Sequence, residues 1–140
     1  MSCTVAAIPL NTWEEQQNLL SRLQMNEITY LNRNTLMEIM HLPHFIALGL
    51  YRNAGLIGEA IMAGQGDHSE LVAIYIEPSS RRQGMARALL HRTMAIMAAE
   101  GVMQVSARIM TRSAPQMHLM NDFGAVESGV NMLFPGMYLN

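Results

Sequence analysis

The sequence predicts a mixed α/β domain, and three observations lead to this prediction. The chain has 140 residues, the size of an ordinary single domain. Half of the residues are hydrophobic, which excludes a disordered chain. Segments with strand alternation and segments with helical periodicity follow one another without a repeat or a linker. We therefore expect residues 1–140 to form one domain with the element order β-α-α-β-β-β-α-β-α-β.

The first half of the chain predicts a strand, two helices and a three-stranded meander. Residues 4–8 are apolar and predict the strand, and a helix begins near Trp13, after residues that can cap it. A second helix covers residues 34–40. The three strands of the meander are predicted over residues 44–51, 56–62 and 71–76, with turns at residues 52–55 and 63–69.

Both faces of the last meander strand are mostly apolar, which predicts a central strand that is covered on both sides. Successive side chains of a strand point to opposite faces. This alternation divides the strand into Val72, Ile74 and Ile76 on one face and Leu71, Ala73, Tyr75 and Glu77 on the other.

The second half of the chain alternates helices and strands. A helix begins at Met85, with apolar residues at three- and four-residue steps, and ends before Gly101. A strand follows over residues 102–108, and then a shorter helix over about residues 113–123. Residues 125–137 predict one or two short strands.

The most informative stretch reads IYIEPSSRRQGMARALL and covers residues 74–90. It places an apolar strand, a glycine-bearing basic turn and the start of a helix in that order. The first N–H groups of a helix have no intrahelical partner, and the peptide dipoles place about half a positive charge there. Gly84 and Ala86 are small enough for a phosphate ester to approach the main chain. The stretch therefore predicts an anion site.

Charge is distributed unevenly, although the net charge is only −2. Residues 1–80 hold three arginines against eight acids, whereas residues 81–112 hold six arginines against one glutamate. An acidic first half suits a cationic substrate, and a basic second half suits a polyanionic cofactor. The near-neutral total argues against nucleic acid as the main partner.

The N-terminal region carries few signals. Cys3 is the single cysteine, which excludes an internal disulfide, and it has no histidine motif beside it. The sequence begins without the pattern of a signal peptide, and no apolar run approaches the ~20 residues that span a bilayer. We expect a cytoplasmic location and no membrane partner, and we leave a homodimer open.

The stretch at residues 74–90 resembles the acetyl-CoA signature of the GNAT superfamily of N-acyltransferases. In that signature an apolar strand and a proline precede Gln/Arg-x-x-Gly-x-Gly/Ala at the start of a helix, and Arg81, Gly84 and Ala86 take those positions here. The resemblance extends along the whole chain, to a Phe-Gly-Ala sequence at residues 123–125 that looks like the family's Leu-Gly-Phe ending. It implies a GNAT-like mixed sheet and acetyl-CoA as co-substrate, with no metal.

The resemblance also implies a cofactor site that is built largely from main chain. The backbone of the last meander strand would pair with the pantetheine arm, which adds itself like a strand. The amides of the following turn would hold the pyrophosphate. The cofactor-binding residues expected on this basis are Ile74, Tyr75, Ile76, Arg81, Arg82, Gln83, Gly84, Met85, Ala86 and Arg87.

Acyl transfer to an amine requires a base and a donor for the thioester oxygen. The donor is expected to be an amide of residues 73–76. Ala73 stands where many family members carry an acid, so Glu70 at the start of the strand is the first candidate for the base. Glu59 and His68 are the alternatives.

The group that protonates the leaving thiolate departs from the family pattern. Many members carry a tyrosine four residues before the glycine that closes the last helix, but Met120 stands there and cannot donate a proton. His118 is the candidate replacement, unless the thiolate leaves unassisted or through water. Tyr75 and Tyr138 are weaker candidates, and Ser113 aligns with an asparagine that is frequent in the family.

His41 and His44 lie in the loop where the family often builds its acceptor pocket. Contact with the acceptor or simple exposure is expected there rather than metal binding, because two histidines alone are a weak metal signal.

Three functions remain open from the sequence. The leading hypothesis is an N-acetyltransferase that moves an acetyl group from acetyl-CoA to a primary amine of a small molecule or peptide, by direct attack in a ternary complex. The second is a non-catalytic acetyl-CoA-binding regulatory module, which Met120 and Ala73 motivate. The third is an unrelated α/β domain that binds another phosphate compound.

Overall fold

A computed structural model describes residues 3–81, 84–108, 120–121, 125–128 and 131–133. Its strands are β1 (Cys3–Ala7), β2 (Ile46–Arg52), β3 (Gly55–Gln65), β4 (His68–Ile76), β5 (Gln104–Arg108), β6 (Val126–Ser128) and β7 (Asn131–Leu133). Its helices are α1 (Trp13–Met25), α2 (Arg33–Met40) and α3 (Met85–Ala99), with a 3₁₀ turn at Pro78–Ser80 between β4 and α3.

The seven described strands form one sheet in the order β1-β2-β3-β4-β5-β7-β6. Neighbouring strands are antiparallel except β4 and β5, which are parallel because α3 returns the chain across the sheet between them. The predicted mixed α/β class and the two short strands after residue 125 are confirmed. The predicted helix over residues 113–123 lies outside the described residues, apart from Met120 and Asn121, which are helical.

Side-chain caps explain where the first two helices begin. The hydroxyl of Thr12 accepts from the N–H of Glu15 at 3.1 Å, and the carboxylate of Glu15 accepts from the N–H of Thr12 at 2.9 Å. This reciprocal pair is a capping box, which satisfies two backbone donors at once. The side chain of Asn32 accepts from the N–H of Thr35 at 2.9 Å and caps α2 in the same way.

Two hydrophobic layers cover the two faces of the sheet. The layer on the α3 side, which we call the α3 face, includes Leu48, Met62, Leu71, Ile74, Ile76, Leu89, Leu90, Met94, Met97, Val105, Ala107 and Met120. The layer beneath α1 and α2, which we call the α1/α2 face, includes Leu19, Leu23, Ile28, Leu31, Leu36, Ala47, Ile61, Ala73 and Tyr75.

The turn predicted over residues 63–69 is wrong in its extent. β3 runs on to Gln65 and β4 begins at His68, so the turn contains only Gly66 and Asp67. Backbone pairing of β3 with β4 continues as far as Gln65 and His68. Gly66 has the positive φ of 65° that a tight reversal requires. The polar composition of the segment reflects an exposed hairpin end rather than a long loop.

The face assignment predicted for β4 is confirmed for residues 73–76 but wrong at Leu71 and Val72, because the strand contains a β-bulge. Ile61 is paired with Ala73, but Met62 is paired with Leu71, so Val72 is one extra residue in β4. An inserted residue shifts the alternation of all side chains beyond it. Leu71 therefore lies on the α3 face, and Val72 packs against the α1/α2 face.

Candidate acetyl-transfer site

Among the described residues, the pairing of β4 with β5 ends beside the bulge. In the described residues, the parallel ladder joins residues 68–71 of β4 to residues 104–107 of β5. β4 continues to Ile76, and the chain then leads through the 3₁₀ turn towards α3. An extended ligand can align with the main chain of a strand as another strand would.

Hydrogen bonds from its own side chains stabilise the turn after β4. The carboxylate of Glu77 accepts from the hydroxyls of Ser79 and Ser80, each at 3.0 Å. The guanidinium of Arg81 donates from Nε to the carbonyl of Ile76 at 2.8 Å. The acid nearest to this turn is thus held by serines, and the first arginine of the signature is held against the end of β4.

The N-terminus of α3 is arranged for an anion. Gly84 is the residue that caps the helix, and its φ of 75° lies in the left-handed region that favours glycine. A Cβ built on Gly84 would have no heavy atom within 4 Å, so the space in front of it is open. The first turn of α3 contains no acidic residue. These features fit a pyrophosphate, because the first-turn N–H groups and the helix dipole both favour negative charge.

An arginine that the sequence did not indicate also lies at this end of α3. Arg52, the last residue of β2, donates from Nη2 to the sulfur of Met85 at 3.1 Å. Arg52 and Met85 are 33 residues apart in the sequence, which explains why no local motif indicated this contact. Of the signature residues, Arg82 and Gln83 lie outside the described residues, and Arg87 is exposed in the first turn of α3.

A second group of polar residues lies beside the bulge on the α1/α2 face. Ser106 lies between Val105 and Ala107, which belong to the α3 face, so its side chain points to the opposite side. There its hydroxyl is 3.1 Å from Nε2 of His68. Glu70, the first candidate for the base, is opposite Ser106 in the ladder and is partly buried.

Tyr30 completes this group, which we call the open cluster: Tyr30, His68, Glu70 and Ser106. The hydroxyl of Tyr30 donates to the carbonyl of Val72 at 2.8 Å. Burial, together with the negative charge of Glu70, raises the pKa of Tyr30 to about 12. Sequence reasoning missed Tyr30 and Ser106, because neither lies in a motif and only the folded sheet brings them to Glu70.

A third group is sealed between α1 and the sheet. Glu59 has a fully buried side chain and accepts from Arg22 at 2.6 Å from Nη2 and 3.0 Å from Nε. The hydroxyl of Tyr75 donates to the other oxygen of Glu59. We call Arg22, Glu59 and Tyr75 the closed cluster. It leaves Glu59 and Tyr75 unable to reach an acceptor or a thiolate, which removes both from the catalytic candidates.

The ionisation of the closed cluster follows from its contacts. Burial lowers the pKa of Arg22, but hydrogen bonds to Glu59 and the charge of Glu59 outweigh burial, so the pKa of Arg22 is raised. Burial, followed by the negative charge of Glu59, raises the pKa of Tyr75 far above its usual range. Tyr75 therefore stays protonated and keeps donating to Glu59.

The remaining candidates have other outcomes. His44 is tied to Glu100 at 3.0 Å through Nδ1 and to the carbonyl of Gly66 at 2.7 Å through Nε2, so it connects loops at the far end of the sheet. Met120 is buried within the α3-face layer. Ser113, His118 and Tyr138 lie outside the described residues.

Within the ranges that the structure describes, no group of three potential metal ligands exists, and none of the helices is suited to crossing a membrane.

Comparison with known proteins agrees with this geometry. A family model described as the acetyltransferase (GNAT) family matches residues 11–125. The chain belongs to the GNAT family. Its family belongs to the acyltransferase class, which excludes the unrelated α/β phosphate-binding domain as an interpretation. No curated protein sequence matches the chain.

Solved structures share the fold of this GNAT chain at low sequence identity. The ribosomal-protein-S18-alanine N-acetyltransferase from Escherichia coli is 17% identical with a TM-score of 0.78, and the match covers 96% of this chain and 94% of that one. PaiA N-acetyltransferase from Thermoplasma acidophilum, in complex with coenzyme A, is 13% identical with a TM-score of 0.70 over 95% and 97% of the two chains. An aminoglycoside acetyltransferase from an uncultured soil metagenomic sample is 20% identical with a TM-score of 0.69 over 91% and 94%.

Proposed function

We propose that the chain transfers an acetyl group from acetyl-CoA to a primary amine of a small molecule or peptide, by direct attack in a ternary complex. The observation that carries this proposal is the continuity of the site. β4, whose described pairing with β5 ends at Leu71, leads through a 3₁₀ turn towards a helix N-terminus that a left-handed glycine opens to an anion. One surface thus offers a strand edge for pantetheine and main-chain donors for pyrophosphate.

Different residues of this surface would bind different parts of acetyl-CoA, which supplies an activated acyl group when bound. The main chain of residues 74–76 would align with the pantetheine arm. The main chain of residues 81–86 would hold the pyrophosphate, and the exposed Arg87 would add positive charge. Arg82 and Gln83 belong to the same signature and keep the roles that the resemblance implies.

The open cluster suits the acceptor. An amine attacks only as the neutral base, whereas a lysine-like ammonium has a pKa of about 10.4. The C–N bond forms as the C–S bond breaks, and the sulfur leaves as the thiolate of CoA, which takes a proton from water. The attacking nitrogen must also release a proton. Glu70 accepts that proton, directly or through water, and an amide of residues 73–76 donates to the thioester oxygen as it gains negative charge. His68, with Ser106 beside it, is the alternative base.

The acceptor is proposed to be cationic. The carboxylate of Glu70 has only acceptor atoms, and the hydroxyl hydrogen of Tyr30 is used by Val72. An ammonium group is the partner that such acceptors favour. The names of the structural relatives suggest two acceptors to test, a peptide with an N-terminal alanine and an aminoglycoside.

A non-catalytic acetyl-CoA-binding regulatory module is the second candidate function. Met120 favours it, because this buried thioether takes the position where many family members carry a proton-donating tyrosine. Such a module would bind acetyl-CoA through the same surface but would release no thiol.

The first experiment tests binding. Acetyl-CoA in excess should raise the melting temperature, since a ligand at 100 times its Kd adds about 2.7 kcal/mol to stability. Gly84→Ala should weaken this binding about tenfold, because alanine disfavours the left-handed conformation by ~1–2 kcal/mol. Gly101→Ala is the matched control, since Gly101 has a φ of 91° and open space at the other end of α3. Equal loss of affinity in both variants contradicts the site.

The second experiment tests turnover. Thiol release is measured with acetyl-CoA and a panel of polyamines, aminoglycosides and peptides with free N-termini. Release with a cationic amine supports the transferase. Binding without release from any amine supports the regulatory module, and no stabilisation by any CoA ester contradicts both functions.

A further inference from the structure

Tyr30 donates a hydrogen bond to the bulged residue of β4. Its hydroxyl reaches the carbonyl of Val72 at 2.8 Å across 42 residues of sequence. A bulged residue is left out of the ladder that pairs its neighbours, so its polar groups need other partners. Val72 is that extra residue, and Tyr30 is the partner of its carbonyl.

The loop that carries Tyr30 is itself fixed by the core. Ile28 and Leu31, on either side of Tyr30, are only 1% and 5% exposed. The N–H of Ile28 also donates to the carbonyl of Leu23 at 2.8 Å, which ties the loop to the end of α1. Tyr30 therefore approaches β4 from a rigid support, and its hydrogen bond can hold the strand rather than follow it.

The position of this hydrogen bond matters for acyl transfer. The peptide group between Val72 and Ala73 is planar, so a contact that fixes the carbonyl of Val72 also orients the N–H of Ala73. Ala73 is paired with Ile61 of β3, and its N–H points to β3 by the same alternation that joins the N–H of Glu77 to the carbonyl of Ile57 at 2.8 Å. A fixed Ala73 peptide therefore sets the direction of the amides that follow it in residues 74–76, which belong to the segment that we propose as donor to the thioester oxygen. Such donors act by being held in place before the charge develops, and small displacements weaken them.

We propose that Tyr30 is a positioning residue of the transfer reaction, which holds the bulged peptide of β4 so that the following amides point at the thioester oxygen. This inference rests on the proposed function. Tyr30 acts through the main chain of β4 and also links the α1–α2 loop, beside the open cluster, to the strand that receives the cofactor. The raised pKa of Tyr30 keeps its hydroxyl a donor at neutral pH.

Tyr30→Phe tests the proposal, because it removes the hydroxyl and keeps the ring. We expect kcat to fall about tenfold, as is typical when a transition-state donor is weakened but not removed. The Kd of CoA should stay within about twofold of the wild-type value, because CoA has no thioester oxygen. Tyr51→Phe is the matched control, because it removes a tyrosine hydroxyl from β2 instead. It should leave both kcat and the Kd of CoA unchanged.

Amide hydrogen exchange provides a readout that does not depend on turnover. With CoA bound, Tyr30→Phe should speed exchange in residues 71–76 about fivefold or more, while residues of β2 keep their rates. Tyr51→Phe should not accelerate exchange in residues 71–76.

The outcomes separate this inference from the proposed function. Unchanged kcat in Tyr30→Phe overturns the inference, and so does unchanged exchange in β4. A parallel fall in kcat, CoA affinity and melting temperature also overturns it, because this pattern indicates a merely structural role. If the wild-type protein binds acetyl-CoA but acetylates no amine, the proposed function fails, while the exchange rates still decide whether Tyr30 orders β4.

Discussion

Two polar clusters lie on the same face of the sheet, and their surroundings give them different roles. In the closed cluster, Arg22 and Tyr75 use both oxygens of Glu59, whose side chain is fully buried. The open cluster lies beside the bulge of β4, and its Glu70 is only partly buried. A fully buried carboxylate with fixed partners stabilises the fold, whereas a partly exposed carboxylate can exchange a proton with a ligand. Burial, rather than residue type, distinguishes the two glutamates.

The largest effect on stability is expected when the closed cluster is opened. Arg22→Met should reduce the free energy of unfolding by about 3 kcal/mol, because removing one partner leaves a buried carboxylate without its counter-charge. Denaturation by urea measures this loss, and kcat of the folded protein should change little. Arg33→Met is the control, since Arg33 lies over the exposed ring of Trp13 and should cost less than about 1 kcal/mol. Similar losses in both variants would contradict the role of the closed cluster.

The open cluster should show the opposite pattern. Glu70→Gln keeps the size of the side chain but removes the base, so kcat/KM should fall about 100-fold. The free energy of unfolding should fall by less than in Arg22→Met, because Glu70 is only partly buried. Steady-state thiol release and urea denaturation measure the two quantities. His68→Gln separates the alternative base from Glu70. A larger fall in His68→Gln than in Glu70→Gln would transfer the role of base to His68.

A smaller effect is expected from His44, whose ion pair lies away from both clusters. The hydrogen bond to Glu100, with that to the carbonyl of Gly66, raises the pKa of His44 above its ordinary value of 6.5. Folding therefore favours the protonated ring, so the stabilisation is complete below pH 6.5 and is lost as the pH rises through the raised pKa. The difference in unfolding free energy between wild type and His44→Asn should shrink from pH 5.5 to pH 8.5. Glu100→Gln should weaken this pH dependence. If the difference in unfolding free energy between wild type and His44→Asn grew with pH, folding would favour the neutral ring and the prediction would be wrong.

The sequence predicted the elements more accurately than their contacts. The start of α3 was predicted at Met85, where the structure has it, because a glycine turn and helical periodicity are local signals. The face assignment of β4 failed at Val72, because a bulge depends on the pairing with β3 and leaves no local mark. Glu59 illustrates the same limit, since it was a candidate base until the structure showed Arg22 and Tyr75 on its carboxylate.

The sequence alone determined the class of the fold, the GNAT signature and the helix N-terminus that Gly84 opens. These features arise from residues that are close in the chain, where dihedral preferences and periodicity act directly. Only the tertiary structure decided which polar groups meet. Tyr30 reaches Val72 across 42 residues, and Arg22 reaches Glu59 across 37. The partners of a buried polar group are set by strand register and helix packing, and one inserted residue in β4 changes which side chains share a face.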